Sequence, residues 1–297
     1  MSKILVTGAA GFIGSHLLST LQVRHELIVL IRPKTQRGKF AGVNWVEQDL
    51  SKPLDEARFP DRLDAIIHLA QSPHYRNFPE GGKDIFDVNI RSTFQLLEVA
   101  RRFGVKYFLF ASSGGVYGNS YERLVETDPV NPLNFYLSSK YTSELLIANY
   151  QPFFHTIVFR FFFVYGPGQK DMLIPNLLSK VMKGELITIE GNPGLRINPI
   201  HIEDAVQVFE PALNLTSSEL FNIAGDEVVT ITDLVTLMGE VCGRQPCVQY
   251  HTIPSSGDLI GDNAHMKEVL GVISKVSLRN GLKAIAKSFS KEHDRKV

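Results

Sequence analysis

Short apolar runs recur along the first half of the chain, at 3–7, 26–32, 43–48, 65–69, 106–112 and 156–164. Several hold apolar side chains at consecutive positions rather than at every second one. That pattern marks strands covered on both faces, and hence a parallel sheet flanked by helices. Between the runs, stretches 11–22, 84–102 and 134–149 carry helical spacing. Strand and helix in alternation predict an α/β fold, a Rossmann-type doubly wound parallel sheet. The alternation loosens after Tyr165-Gly166-Pro167-Gly168, where Gly and Pro end the last strand. Beyond it, 172–183, 231–242 and 264–270 read as helices, 191–204 as a mixed Gly/Pro-rich stretch and 221–224 as a short strand. The expected organisation is a Rossmann domain over 1–165 and a smaller C-terminal α+β lobe over 166–297. Part of 198–225 is expected to return to the large sheet. The polar end, 291–297, is expected to fray.

With 297 residues and 44% hydrophobic composition, the chain has enough apolar material for a core. Lys plus Arg equals Asp plus Glu at 31 each, so no global field favours nucleic acid or an anionic membrane, and any phosphate site must be local. The longest apolar run, near 156–165, is interrupted by Arg160 and is too short to span a bilayer. The start, Met-Ser-Lys-Ile-Leu-Val-Thr-Gly, lacks the apolar stretch of a signal peptide. Two cysteines, Cys242 and Cys247, are too few for a disulfide scaffold or a Cys-rich zinc site, and the nine histidines show no metal-pair spacing. These features predict a cytoplasmic protein in a reducing compartment, with no metal.

The first strand runs into Gly8-Ala9-Ala10-Gly11-Phe12-Ile13-Gly14, and a helix follows. Glycines at this spacing let the turn tighten, let the backbone approach a pyrophosphate and let helix and strand pack closely. The helix N-terminus then offers free N–H groups to phosphate. The turn therefore predicts a dinucleotide site. An acid at the end of the second strand would accept from a ribose 2′-hydroxyl, whereas a cation would pair with a 2′-phosphate. Here the strand ends Leu30-Ile31-Arg32, with Lys34 and Arg37 beyond, which favours NADP over NAD. Asp49 and Leu50, after the third strand, are candidates to cap the adenine.

Tyr136 and Lys140 share one face of a predicted helix. An ammonium beside a phenol favours phenolate, so the tyrosine pKa is expected below its usual value near 10. Such a tyrosine can exchange a proton with a hydroxyl or carbonyl while hydride moves. The fifth strand ends in Ser112-Ser113, where a hydroxyl can hydrogen-bond the reacting oxygen. His68 closes a buried strand and reads as a packed imidazole, while His201 is open between packing and a site role.

The run Thr-Gly-Ala-Ala-Gly-Phe-Ile-Gly-Ser-His-Leu at 7–17 resembles the opening of the extended short-chain dehydrogenases, the NAD-dependent epimerase/dehydratase family. Ile67 to Ala70, Asp87 to Asn89, Ser112 to Gly118, Tyr136 to Lys140, Arg160 to Gly168, Arg196 to Asp204 and Phe221 to Ile223 fall in that family's order. The resemblance spans nearly the whole chain. It implies Tyr136 as acid/base, Lys140 as its tuner and a ribose ligand, and Ser113 as the hydroxyl that polarises substrate. It also implies Leu69, Ala70, Asn89, Ser112 and Phe162 beside the cofactor, Arg196 and Asp258 at a phosphate-bearing substrate, a nucleotide sugar as that substrate, and a homodimer formed through the helices that hold Asn89 and Tyr136.

The chain also departs from the pattern. Gly114-Gly115 stand where the family's 4,6-dehydratases carry Asp-Glu, so the groups for water elimination are missing. Phe163 replaces an asparagine that reaches the nucleotide diphosphate, and Ser255-Ser256 precede Gly257-Asp258 where an arginine is common. These changes leave either a nucleotide sugar held in another way or a smaller molecule. Arg32 favours a keto-reductase using NADPH. The alternatives are an epimerase with tightly held NAD and a regulator that senses NAD(P) without turnover.

Overall fold

A computed structural model describes residues 1–35, 37, 40, 42–252 and 257–294. Ser255 and Ser256 lie outside the described residues, as do 295–297. The strands are β1 (Lys3–Thr7), β2 (Glu26–Ile31), β3 (Val43–Glu47), β4 (Ala65–His68), β5 (Tyr107–Ser113), β6 (His155–Phe161), β7 (Leu186–Glu190), β8 (Arg196–Ile197), β9 (Glu219–Ile223), β10 (Val229–Thr230) and β11 (Cys247–His251). The helices are α1 (Phe12–Leu21), α2 (Gly82–Ile85), α3 (Ser92–Arg102), α4 (Phe135–Ala148), α5 (Leu173–Lys183), α6 (Ile202–Ala205), α7 (Phe209–Ala212), α8 (Ile231–Cys242), α9 (Ala264–Leu270) and α10 (Leu278–Asp294).

Seven strands form one sheet in the order β3-β2-β1-β4-β5-β6-β9, a Rossmann-like α/β arrangement. The pairs β1–β2, β2–β3, β1–β4 and β4–β5 are parallel, with Thr7 opposite both Leu30 and His68. Strand order reverses between β1 and β4, and ligands in such sheets gather at the carboxyl ends of the strands beside that reversal. The consecutive apolar residues have their expected cause: Ile4, Leu5 and Val6 on β1 and Ala65, Ile66 and Ile67 on β4 are all buried.

The chain divides into two compact units. The first comprises Met1–Val116, Val130–Arg160 and Val206–Phe221, and the second Tyr117–Pro129, Phe161–Ala205 and Asn222–Val297. In the first, Leu5, Ile28, Ile66, Leu96, Leu97, Phe108 and Phe110 form a core between sheet and helices. In the second, Leu178, Leu234, Met238, Leu282 and Ile285, from α5, α8 and α10, form a separate core. The parallel pair β7–β11 and helix α10 are additional to the predicted elements. Their signals were present: Leu186-Ile-Thr-Ile-Glu alternates strictly, with Ile187 and Ile189 inward, and Leu278, Leu282, Ile285 and Phe289 repeat at helical spacing. Residues 291–294, expected to fray, continue α10. No described helix is long and apolar enough to cross a membrane.

The predicted helix 84–102 resolves into α2, a π-helical stretch (Phe86–Arg91) and α3. π-Helical turns insert extra backbone and often mark functional positions. This one carries Asn89.

Candidate active site

Helix α1 begins at Gly11, whose extended backbone (φ −77°, ψ 177°) leaves the first turn with no side-chain cap. The N–H groups of that turn are therefore available to an anion. Gly8 is the tightest point of the turn. Its φ is +72°, and a Cβ there would stand 2.5 Å from the Ala70 nitrogen. A Cβ at Gly14 would stand 2.4 Å from the Gly8 carbonyl oxygen. Both glycines are demanded by the packing of strand, turn and helix, as the sequence motif requires.

A cavity of about 370 Å³ opens at this point, lined by residues that follow the carboxyl ends of four neighbouring strands. Gly8 to Gly11 come from after β1, Ile31 and Arg32 from the end of β2, Gln48 to Ser51 from after β3, and Ala70 and Gln71 from after β4. Its size falls in the range of small-molecule sites. Glycine backbone, an uncapped helix start, apolar Leu30 and Leu50, and polar Asp49 and Ser51 match the chemistry of a dinucleotide. Of the candidate cofactor residues, Gly8, Gly11, Arg32, Asp49, Leu50 and Ala70 line this cavity, whereas Phe12, Ile13, Gly14, Leu69, Asn89, Ser112, Tyr136, Lys140 and Phe162 do not. The Asp49 carboxyl is held below the usual range; burial opposes this but is outweighed by hydrogen bonds from Ser51 and the charges of Lys52 and Arg32. Arg37, the third cation in this stretch, pairs with Glu47 at 3.4 Å.

Behind the cavity the buried His68 ring joins β4 to β1 and α3. Its Nδ1 lies 2.7 Å from Thr7 Oγ1 and its Nε2 3.0 Å from Thr93 Oγ1. Thr93 donates its own proton to the Asn89 carbonyl at 2.6 Å, so His68 Nε2 carries the hydrogen and Nδ1 accepts from Thr7. Burial, with the Lys140 charge nearby, pushes the His68 pKa down to about 3. A ring locked in one neutral tautomer is a structural strut rather than a base.

Asn134 starts α4 by accepting from the Leu137 N–H at 2.9 Å. That cap places Tyr136 in the first turn and Lys140 one turn further in. Lys140 is buried, donates from Nζ to the Ala111 carbonyl at 2.8 Å and lies 6.0 Å from the Tyr136 ring centre. Burial lowers its pKa to about 8, with Glu144 pulling the other way. The tyrosine departs from expectation. The atoms crowded round the half-buried Tyr136, together with Tyr75, raise its pKa above the ordinary phenol value rather than lowering it. The reason is geometric: the ammonium is turned to a backbone carbonyl on β5, and desolvation of the phenol outweighs a charge held at that distance.

Tyr136 instead donates to Gln71 Oε1 at 3.0 Å, and its ring meets Tyr75 with centres 5.3 Å apart. The Ser113 hydroxyl accepts from the Gly115 N–H at 3.2 Å and closes the turn after β5. A Cβ at Gly115 would stand 2.9 Å from Leu137 Cδ2, the movable end of a flexible side chain. Ser112 is buried and donates to Glu144. Asn89 accepts from the Ser72 N–H at 2.8 Å and donates to Ser139 at 2.8 Å, tying the π-helical turn to α4.

In the second unit, Arg196 and Asp258 meet. The Arg196 N–H donates to Oδ1 at 2.6 Å, and Nε donates to Oδ2 at 2.8 Å. Arg196 also donates to the Tyr121 carbonyl at 3.3 Å. Asp258 thus fixes the direction of the guanidinium. Phe162 is buried against Tyr117, with ring centres 6.2 Å apart, and a Cβ on Gly261 would stand 2.8 Å from its ring. Phe163, where the resemblance expects asparagine, holds φ +44°, a left-handed conformation that asparagine adopts readily and a bulky side chain does not.

The Gln71 and Glu144 contacts were not anticipated. Glu144 had a legible signal, since it stands at i+4 from Lys140 and i+8 from Tyr136 on one helix face. The Gln71 contact had none, because it joins residues 65 positions apart.

The model of the NAD-dependent epimerase/dehydratase family matches residues 4–224. Among curated proteins, the uncharacterized UDP-glucose epimerase YtcB of Bacillus subtilis is 29% identical, covering 94% of this chain and 95% of its own. A dTDP-4-dehydro-6-deoxy-D-allose reductase of Streptomyces bikiniensis is also 29% identical, covering 96% and 95%. Among solved structures, UDP-glucuronic acid 4-epimerase of Bacillus cereus, in complex with UDP-glucuronic acid and NAD, is 25% identical with a TM-score of 0.85, covering 98% of this chain and 99% of that one.

Proposed function

The chain belongs to the NAD-dependent epimerase/dehydratase family, and from that premise we propose that it is an NAD-dependent enzyme moving hydride at a carbinol or ketone carbon of a nucleotide sugar, in the epimerase mode. The observation that carries this reading is the Tyr136–Lys140 pair on α4, in the same unit as a cavity of about 370 Å³ at the carboxyl ends of β1 to β4. NAD, when bound, supplies the hydride acceptor and returns the hydride. The turn from Gly8 to Gly14 and the start of α1 would hold the pyrophosphate, and Leu50, Asp49 and Ala70 would line the cofactor's place. Ser113 hydrogen-bonds the reacting oxygen. Tyr136, once ionised, would take the proton of the substrate hydroxyl during oxidation and, as the phenol, would give it back to the ketone oxygen during reduction. Lys140, its Nζ resting on the Ala111 carbonyl, would hold positive charge behind the phenol and serve as a ribose ligand. The first unit is proposed as the cofactor domain and the second as a substrate lobe, whose Asp258-braced Arg196 carries the charge to hold a diphosphate.

NAD rather than NADP is the proposed coenzyme. The Bacillus cereus neighbour was solved with NAD, and Arg37 is paired with Glu47, which among the described residues leaves Arg32 as the Lys or Arg on the cavity wall. That same Arg32 favours the second reading, a keto-reductase fed by NADPH. Phe86, Phe94 and Leu145, exposed on the π-helical stretch, α3 and α4, supply an apolar face for a homodimer. Cys242 and Cys247 are free thiols, which fits a reducing cytoplasm.

The test is incubation with UDP-glucose, UDP-galactose or UDP-glucuronic acid and NAD, followed by separation of epimers. The expected result is epimer formation without net NADH, with Tyr136→Phe slower by about 10²–10⁴-fold. Net consumption of NADPH with a keto-sugar would establish the reductase instead. Equal turnover by Tyr136→Phe and the parent protein would remove the acid/base role.

A further inference from the structure

We infer that Gln71 is a positioning residue for Tyr136, whose amide turns between accepting from the phenol and donating to the phenolate. The inference rests on Tyr136 being the acid/base of the reaction. Its own ground is the 3.0 Å contact from the Tyr136 hydroxyl to Gln71 Oε1.

A phenol oxygen that cycles between protonated and ionised forms needs a partner suited to both. As phenol it donates; as phenolate it can only accept. A carboxylate partner satisfies only the first state and an ammonium only the second. A glutamine amide carries an acceptor and a donor on one terminal torsion, which is soft and roughly two-fold. Half a turn about that bond replaces Oε1 with Nε2 at the same place and moves no backbone. Gln71 follows Ala70 directly, and Ala70 is tied to β1 by its N–H donating to Thr7 Oγ1 at 3.3 Å. The stem of Gln71 is therefore anchored to the sheet while its amide is free to turn.

The other groups facing Tyr136 cannot take this role. Tyr75 meets the ring and raises the phenol pKa, with Arg76 stacked on Tyr75 at 4.9 Å. The Lys140 ammonium lies 6.0 Å from the ring centre and donates to Ala111. Gln71 thus offers the oxygen of the half-buried Tyr136 a neutral hydrogen-bond partner in both its protonated and its ionised form.

The sign of a titration decides the matter. Hydrogen bonds to ionised groups are about twice as strong as neutral ones. An amide that can turn therefore stabilises phenolate more than phenol, and its removal raises the pKa of Tyr136. An amide fixed with its carbonyl toward the tyrosine stabilises only the phenol, and its removal lowers that pKa. The experiment is a ¹³C NMR titration of protein labelled at tyrosine Cζ, in saturating NAD, up to pH 11. The Tyr136 resonance is identified by its loss in Tyr136→Phe. Gln71→Leu, with Gln71→Met as a second variant should the first not fold, is expected to titrate at least about one unit higher than the parent, a tenfold smaller phenolate fraction. Gln71→Glu is expected to titrate higher still. Because the phenol already sits above its ordinary value, a form that reaches no midpoint by pH 11 is read by its ionised fraction at pH 11, expected smaller in both variants than in the parent. An unchanged or lower pKa, or an equal or larger ionised fraction, in Gln71→Leu and Gln71→Met overturns the inference. The titration needs no turnover, so it is separate from the Tyr136→Phe assay that tests the catalytic reading.

Discussion

Arg160 on β6 and Glu144 on α4 form a buried two-pronged ion pair, with Arg160 Nη2 2.6 Å from Glu144 Oε2 and Arg160 Nε 3.2 Å from each carboxylate oxygen. Ser112 donates to the same carboxylate, so the pair joins the end of β5 to the helix that carries Tyr136 and Lys140.

Arg160→Met leaves Glu144 buried without its cation. The expected loss is about 3–5 kcal/mol in urea unfolding. Replacing both partners, as Arg160→Met with Glu144→Leu, is expected to recover much of that loss, because the carboxylate left without Arg160 is removed as well, while Lys140 keeps its bond to the Ala111 carbonyl. A double variant no more stable than the single one would contradict this account.

Gly8→Ala forces a side chain into a left-handed conformation, at about 1–2 kcal/mol, and drives its Cβ against the Ala70 backbone. Lower stability and loss of NAD binding are expected together, read by denaturant unfolding and fluorescence titration. Normal NAD affinity in the variant would show that the turn does not face the pyrophosphate.

Lys140 gives stability a pH dependence. Its folded pKa of about 8 lies below the free value of 10.5, so the unfolded chain binds its proton more tightly. The burial penalty is fully present below pH 8 and fades as pH rises from about 8 to 10.5. The stability of the parent protein relative to Lys140→Met is therefore expected to increase across that window, in urea midpoints taken at each pH. A flat difference would mean that the ammonium is not desolvated.

Arg32 is expected to matter little for NAD. Affinity for NAD should exceed that for NADP by calorimetry, and Arg32→Ala should change NAD binding by less than about threefold, while NADP binding weakens by about tenfold. Tighter binding of NADP by the parent protein would favour the reductase.

Phe94→Asp with Leu145→Glu puts charge on the exposed apolar positions of α3 and α4. Light scattering is expected to show a dimer for the parent chain and a monomer for this variant. A parent chain already monomeric would remove the proposed interface.

The glycine turn, the six runs that became β1 to β6 and the Tyr136–Lys140 spacing were legible because each is a local pattern. Consecutive apolar residues, a left-handed turn and a one-turn helical spacing are set by neighbours along the chain. In the second unit the helices near 172–183, 231–242 and 264–270 were legible, whereas the β7–β11 pair and α10 were not read although Ile187 and Ile189, and Leu282 and Ile285, carry the needed periodicity; β7 and β11 are short and joined to their neighbours by irregular segments.

The amino-acid sequence alone determined the alternating α/β order, the placing of glycine where no Cβ fits, and the helix face that holds Tyr136, Lys140 and Glu144. Tertiary structure alone decided which way the Lys140 ammonium points, that Gln71 accepts a hydrogen bond from Tyr136, that His68 stays neutral, and that Asp258 braces Arg196. The reason is physical. Local patterning fixes backbone conformation and which side is buried, but proton affinity depends on desolvation and on charges and partners within a few ångströms, and those come from segments far apart in the chain.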